Sequence, residues 1–149
     1  MNILLAIDGS IFSDAATDQL IAQAKREAVQ VRLLHVLEPF PQPLAEVLGN
    51  KVYPDFDAAR MKQRERANQW LVRTTEKLER AGFKVTSSIE EGDARSIILY
   101  VAEAWDADLI VLGSHGRTGL DRFLIGSVSE AVARYARCSV EIVRTRSVS

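Results

Sequence analysis

Cysteine is almost absent from this chain, and so are long apolar runs and any large excess of charge of one sign. The 149 residues include one cysteine, Cys138, so no disulfide forms within the chain and a reducing compartment, the cytoplasm, is expected. No apolar run is long enough to cross a membrane, and the first one, residues 2–7, is too short for a secretory signal. With a formal net charge of -1, the chain has no overall attraction for nucleic acid or an anionic membrane.

Three motifs of common enzyme classes are also missing. The chain has no G-x-x-x-x-G-K-[ST] sequence and no lysine after Lys84, so an efficient P-loop ATPase or kinase is not expected. The turn Asp8-Gly9-Ser10-Ile11 lacks the G-x-G-x-x-G fingerprint of dinucleotide enzymes, and no G-x-S-x-G nucleophile elbow occurs. Basic residues are dispersed without an aromatic platform between them, so nucleic-acid binding is not predicted.

Strand and helix patterns alternate along the chain. Apolar or β-branched runs predict five strands, at residues 3–7, 29–37, 83–89, 107–112 and 139–144. Apolar residues at helical spacing predict helices through residues 16–28, 58–80, 94–105 and 127–137. The inner face is expected to carry Ala67, Leu71, Thr74 and Leu78 in the second helix, and Ile97, Val101 and Trp105 in the third. All four prolines lie between Glu38 and Asp57, which predicts a long loop. The alternation predicts one α/β domain, residues 1–149, with a parallel sheet covered by helices on both faces.

A glycine-rich stretch after the fourth predicted strand is the strongest functional signal. Gly113-Ser114-His115-Gly116 follows the apolar run 109–112, and Gly126-Ser127 begins the last predicted helix. Glycines in that position let backbone N–H groups approach a phosphate without hindrance from a Cβ atom. Ligands of such sheets bind outside the carboxyl ends of the strands, where the strand order reverses. If the first and fourth strands are neighbours, Asp8 shares a crevice with the glycines.

These residues resemble the universal stress protein family, in its single-domain, ATP-binding branch. The resemblance covers nearly the whole chain and includes Ala6-Ile7-Asp8-Gly9-Ser10 and the pair His35-Val36. The family pattern G-x2-G-x9-G-[ST] is met by Gly113, Gly116, Gly126 and Ser127. The resemblance implies a Rossmann-like, five-stranded sheet of order 3-2-1-4-5 that binds ATP, with Mg²⁺ or Mn²⁺ held through the phosphates. It also implies homodimers that pair through the last strand, near Val140–Val143.

The resemblance assigns a role to each matched position. The nucleoside would lie near Ala6, Ile7, Asp8 and Val36. The phosphates would be surrounded by Gly113, Ser114, His115, Gly116, Gly126, Ser127, Val128 and Ser129. The carboxylate of Asp8 suits a ribose hydroxyl or an adenine amino group better than a phosphate, because like charges repel.

Purely structural roles are the alternative for several of these residues. The glycines could serve turns alone. Ser127 and Glu130 form an S-x-x-E capping box, which would explain both residues, and Asp8 could cap the approach to the first helix. Packing roles are expected for His35, Trp70, Trp105 and Cys138, and a solvated face rather than phosphate binding for Arg117 and Arg122.

The sequence therefore predicts an ATP-binding regulatory protein, in which nucleotide occupancy changes conformation, oligomer or partner binding. Two other classes stay open. One is a slow ATPase, with Asp8 or His115 orienting water, which the missing P-loop lysine and the lack of a paired general base disfavour. The other is a nucleotide-independent interaction module that uses the loop Glu38–Asp57.

Overall fold

Strands and helices alternate through residues 1–25, 27–39, 53–116 and 125–145, which are the residues that the computed structural model describes. The elements are β1 (Asn2–Ala6), α1 (Ile11–Gln23), β2 (Gln30–Leu37), α2 (Tyr53–Arg80), β3 (Lys84–Glu91), α3 (Ala94–Ala104), β4 (Leu109–Gly113), α4 (Ser127–Tyr135) and β5 (Ser139–Val143). The predicted alternation is confirmed. None of the helices in these ranges combines the length and the apolar character that spanning a bilayer requires.

The strands form one sheet in the order β3-β2-β1-β4-β5, and every pair is parallel, as predicted. β1 pairs with β2 on one side and with β4 on the other, so the strand order reverses beside β1. Ile3, Leu4 and Leu5 of this central strand are at most 1% exposed. A parallel strand that is buried on both faces is typically a continuous apolar run, which is the pattern seen here.

Successive residues of β1 point into two different cores, because side chains alternate across a strand. Ile3 and Leu5 pack with Leu78 of α2 on the face that α1 and α2 cover. Leu4 packs with Ile98 and Val132 on the face that α3 and α4 cover. The sheet is therefore held between two helical layers, and its carboxyl edge is left free to carry a site.

Helix α2 begins earlier than predicted, at Tyr53 instead of Ala58, so the predicted loop Glu38–Asp57 is too long at its carboxyl end. The cause is Pro54, which suggested a loop but lies in the first turn, where a helix tolerates proline because that N–H has no partner. The rest of that loop, residues 40–52, lies outside the described residues. The predicted inner face of the helix is confirmed, since Ala67, Leu71, Thr74 and Leu78 are all buried.

Two further helix predictions need correction. The first helix ends at Gln23, and Ala28 lies beyond it with a positive φ of 59°. In α3 the buried stripe consists of Ile98, Val101 and Ala102, whereas the predicted Ile97 and Trp105 are only half-buried. Ile97 lies against the turn at Gly92, and Trp105 follows the last helical residue as the C-cap.

Candidate functional site

A cavity of about 480 Å³ opens at the carboxyl ends of β1, β2 and β4, where the strand order reverses. Its volume is in the range of small-molecule sites. Most of the predicted site residues line it: Ala6, Ile7, Asp8, Val36, Gly113, His115, Gly116, Ser127, Val128 and Ser129. Asp8 and the glycine motif therefore share one crevice. Ser114 and Gly126 are not part of the wall.

Ser114 and Gly126 instead support the cavity wall through backbone hydrogen bonds. The N–H of Ser114 donates to the carbonyl oxygen of Val143 at 2.9 Å, and the N–H of Gly126 donates to the carbonyl oxygen of Ser114 at 2.7 Å. A Cβ on Gly126 would lie 3.1 Å from that same Ser114 oxygen. A larger residue at Gly126 would therefore displace the loop itself, so this position does not separate binding from folding.

The other two glycines of the motif serve close approach of different partners. A Cβ on Gly113 would lie 2.6 Å from the backbone carbon of Phe12, so this glycine lets α1 pack on the end of β4. A Cβ on Gly116 would lie 3.0 Å from Oδ2 of Asp8. Gly116 thus keeps the carboxylate of Asp8 next to the glycine loop, although the two residues are far apart in the sequence.

Helix α4 begins at the wall of the cavity without a side-chain cap. Its N-cap is Gly126, which makes no side-chain capping bond, and the first helical bond runs from the N–H of Glu130 to the oxygen of Gly126, at 2.9 Å. The N–H groups of Ser127, Val128 and Ser129 consequently have no partner within the helix.

The capping box predicted for Ser127 and Glu130 is not formed. Ser127 is already the first helical residue, so its hydroxyl is one position too late to cap the helix, and Glu130 pairs with Arg134 at 3.4 Å instead. The other two helices with a described N-cap are capped by side chains: Ser10 Oγ accepts from Ser13 N–H at 3.2 Å, and Asp93 Oδ2 accepts from Ser96 N–H at 3.1 Å. The start of α4 therefore differs from both.

Ser129 contributes its backbone but not its hydroxyl. Its Oγ donates to the carbonyl oxygen of Gly113 at 2.7 Å, and the side chain is buried. This bond ties the first turn of α4 to the end of β4. Of the predicted phosphate-end hydroxyls, that of Ser127 is the exposed one.

Asp8 is not the cap of α1, because Ser10 fills that position. Its Oδ1 accepts from the N–H of Ser10 at 3.0 Å, which shapes the turn after β1. Its other oxygen, Oδ2, lies on the side of Gly116. The structure thus gives Asp8 one oxygen for the turn and one toward the cavity.

Trp70 and His35 also line the cavity, although the sequence predicts only packing roles for both. That role is confirmed for His35, whose Nδ1 lies 2.7 Å from the carbonyl oxygen of Ile7. The Trp70 ring meets the His35 ring edge-on, with centroids 5.3 Å apart. Gly9, with a φ of +79°, packs on the same indole, and a Cβ there would lie 2.3 Å from the ring.

Four further wall residues are polar and come from elements that the sequence did not connect with the site: Glu38, Gln63, Asp93 and Arg95. Oε1 of Glu38 accepts from the N–H of Ala94 at 3.1 Å. Hydrogen bonds from the hydroxyl and the N–H of Ser96, with a smaller contribution from Arg95, hold the pKa of Asp93 below its ordinary value. The signal that could have found Asp93 is its place after β3, which matches that of Asp8 after β1.

No group of three His, Cys, Asp or Glu side chains in the described ranges could hold a metal ion. Arg117 and Arg122, the two arginines between the glycines, lie outside those ranges.

The sequence matches the model of a protein family described as the universal stress protein family over residues 1–144. A putative universal stress protein of Staphylococcus aureus, strain USA300, is 33% identical over 99% of this chain and 86% of its own length. These matches extend over the whole α/β unit, the glycine motif included.

Solved structures share the fold. A hypothetical protein whose structure served to assign its biochemical function superposes with a TM-score of 0.82 and 29% identity, over 98% of this chain and 96% of that one. A universal stress family protein from Arabidopsis thaliana with AMP bound has a TM-score of 0.72 and 17% identity, over 99% and 93%. A universal stress protein in complex with cAMP has a TM-score of 0.64 and 22% identity, over 98% and 98%.

Proposed function

This chain belongs to the universal stress protein family, and on that premise we propose that it binds an adenine nucleotide, ATP, in the cavity at the carboxyl ends of β1 and β4. The observation that carries the proposal is the uncapped start of α4 in the wall of that cavity. The AMP and cAMP bound by two proteins of the same fold support the nucleotide class. Occupancy would modulate conformation, oligomer or partner binding.

In this proposal the phosphates bind at the start of α4. The N–H groups of Ser127, Val128 and Ser129 need an acceptor, and the helix dipole adds a partial positive charge at that end. Gly116 offers backbone without a side chain close to this helix start, since its nitrogen would lie 3.8 Å from a Cβ on Gly126. A polyphosphate in this position would accept hydrogen bonds from the first N–H groups of α4. In α1 and α3 a side-chain oxygen of the N-cap residue takes that role.

In this proposal the nucleoside binds at the carboxyl ends of β1 and β2. Ala6 and Val36 pack against the apolar cluster under α3, which gives a base a nonpolar surface. The carboxylate of Asp8 repels phosphates and accepts hydrogen bonds from ribose hydroxyls or an amino group. A divalent cation would be bound through the phosphates, since the described residues hold no cluster able to bind it alone.

Mass spectrometry of the freshly purified chain under native conditions tests the proposal. We expect a population carrying the mass of an adenine nucleotide, which acid precipitation releases. Added ATP should then stabilise the fold, by about 2.7 kcal/mol at a hundredfold excess over the dissociation constant. A chain that carries no nucleotide and gains no stability from ATP would exclude this function.

Replacing Asp8 with alanine should weaken ATP and adenosine binding by similar factors, because the carboxylate contacts the part that both ligands share. A charge-assisted hydrogen bond of this kind accounts for about tenfold in affinity or more. Asp8→Asn is the matched control, since it keeps an acceptor for the Ser10 N–H and replaces only the charged, cavity-side oxygen with an uncharged N–H donor. If calorimetry finds weaker binding of ATP but unchanged binding of adenosine, Asp8 contacts the phosphates and not the nucleoside.

We further propose that the chain forms homodimers through β5, the edge strand beside β4. The N–H of Ser114 reaches the oxygen of Val143, so the backbone of Val143 faces β4 and that of its neighbour Ile142 faces the open edge. Val140 and Ile142 lie on one face of the sheet and Val143 on the other. An unpaired apolar edge favours pairing with a second copy about a two-fold axis.

Proline at Ile142 should convert the dimer into a folded monomer, because it removes an N–H on the open edge and leaves the bonds to β4 in place. Ile142→Ala is the control, because it shortens the side chain and keeps the N–H. Light scattering at micromolar concentration reports both masses. A wild-type chain that is monomeric, or an Ile142→Pro variant that stays dimeric, would contradict pairing through β5.

A further inference from the structure

Helix α2 extends past the carboxyl edge of the sheet and contributes to the wall of the cavity. Its 28 residues span about 42 Å, whereas β3, the strand that follows it, has 8 residues and spans about 26 Å. Residues 81–83 join the two at the amino edge, so the excess length of the helix lies at the carboxyl edge. There Arg60 and Arg64 pair with Glu91, the last residue of β3, at 3.4 and 2.5 Å. These ion pairs hold the overhanging half of α2 beside the cavity.

Gln63 faces the cavity from this overhang. It lies seven positions before Trp70, so the two residues share one face of α2, and both line the cavity. Nε2 of Gln63 donates to the carbonyl oxygen of Glu38 at 3.3 Å. A carbonyl oxygen only accepts, so this bond fixes which end of the amide is the nitrogen. Within the described ranges Oε1 takes part in no hydrogen bond, and it is not a buried atom.

The bond to Glu38 puts this unused acceptor at the carboxyl end of β2, two residues after Val36. Val36 is part of the nonpolar surface that we assign to the base, and Ile98 of α3 packs in the same cluster and lines the same cavity. The two carboxylates of this wall support α3 instead: Oε1 of Glu38 accepts from the N–H of Ala94, and both oxygens of Asp93 accept hydrogen bonds. A base on the nonpolar surface therefore turns its polar edge toward Oε1 of Gln63.

We propose that Oε1 of Gln63 accepts a hydrogen bond from the exocyclic amino group of the base, so that this residue makes the site selective for a 6-aminopurine over a 6-oxopurine. The inference rests on the proposed function and names the base specificity of that site. An amino group donates to Oε1, whereas an oxo group has only lone pairs to present to it. Turning the amide over to offer an N–H would break the bond to Glu38.

Calorimetric titration of three triphosphates into three chains tests the proposal. The ligands are ATP, purine riboside triphosphate, which has hydrogen in place of the amino group, and ITP, which has an oxo group there. The chains are the wild type, Gln63→Met and the matched control Gln69→Met, which changes an exposed glutamine of the same helix. Methionine is unbranched and about as long as glutamine, favours helices and carries no amide.

We expect the wild type and Gln69→Met to bind ATP about three- to tenfold more tightly than purine riboside triphosphate, which is the contribution of one uncharged hydrogen bond. ITP should bind more weakly still. In Gln63→Met the affinity for ATP should fall to that for purine riboside triphosphate, which itself changes by less than about twofold. A merely structural role of Gln63 would weaken all three ligands by one factor and keep their ratios, and this result would overturn the proposal.

The side-chain amide signals of Gln63 in the wild-type NMR spectrum give a readout that needs no variant. ATP should shift these signals at saturation, because the amino group bonds to the same amide, and purine riboside triphosphate should shift them much less. Equal shifts with both ligands would show that the amino group does not reach Gln63.

The outcomes for the wild type separate the two proposals. If it binds all three triphosphates equally, or if its preference for ATP persists in Gln63→Met, the role of Gln63 is wrong and the nucleotide site stands. If it binds none of the three, the proposed function fails and the role of Gln63 fails with it.

Discussion

Replacing Ser127 with proline is expected to lower the affinity for ATP by about 10- to 100-fold while the chain stays folded. The substitution removes one N–H from the start of α4, and a hydrogen bond from such a group to a charged oxygen contributes about 1.5–3 kcal/mol. The proline ring also occupies the space in front of that nitrogen. The loss should be confined to phosphorylated ligands, so adenosine binding serves as an internal reference.

The local geometry explains why the fold should tolerate this change. Ser127 is the first helical residue, where the N–H has no partner in the helix and proline is favoured. Gly126 precedes it with φ of -63° and ψ of 157°, an extended conformation that suits a residue before proline. Ser127 is exposed, so little packing is lost.

Ser127→Ala is the matched control, since it removes the hydroxyl and keeps the N–H. Calorimetry should find its ATP affinity within about threefold of the wild type, because the proposal assigns binding chiefly to the backbone. If Ser127→Ala loses as much as Ser127→Pro, the hydroxyl rather than the amide is the ligand. If neither loses affinity, α4 does not bind the phosphates.

Alanine at Gly9 should be the most destabilising single change near the site, costing about 2–4 kcal/mol. The Cβ would overlap the Trp70 ring, 2.3 Å from its nearest atom, and the φ of +79° is unfavourable for any L side chain. Trp70 would have to move, and the ring of His35 packs against it. For a chain of this size we expect the melting temperature to fall by about 5–15 °C.

Gly92→Ala is the control for strain without overlap. Gly92 also has a positive φ, of +143°, but a Cβ there would lie 3.2 Å from the side chain of Ile97. The end of that side chain can shift to make room. The cost of Gly92→Ala should therefore come from backbone strain alone. In a Trp70→Leu background, which removes the ring, Gly9→Ala should lose much of its effect, and this non-additivity can be measured by a double-mutant cycle. A Gly9→Ala cost that stays the same in the Trp70→Leu background would show that packing on Trp70 is not the cause.

The order and type of the elements were predictable because both faces of this sheet are buried. The residues of β1 form an apolar run, and the face Ala67, Leu71, Thr74 and Leu78 of α2 keeps a helical period. The strand order came from the resemblance to the family and not from the pattern. If β1 and β4 are neighbours, Asp8 is expected to lie beside the glycine motif. The parallel pairing of these two strands confirms that they are neighbours.

What the sequence did not predict depends on contacts between distant residues. The S-x-x-E pattern at Ser127 indicates a cap, but the chain enters α4 one residue earlier because Gly126 is bonded to Ser114. Trp70 keeps the helical period of α2 and still reaches the cavity, because Gly9 allows the backbone to lie against its ring. Neither contact leaves a local signal in the sequence.

The most direct test of the central claim is the backbone ¹H–¹⁵N NMR spectrum of the wild-type chain, titrated with ATP and separately with adenosine. We predict that ATP shifts the amide signals of Ser127, Val128 and Ser129, and that adenosine leaves these three in place. Both ligands should shift the signals of Asp8 and Val36. Saturable ATP binding that leaves the three amides of α4 unchanged would contradict the account.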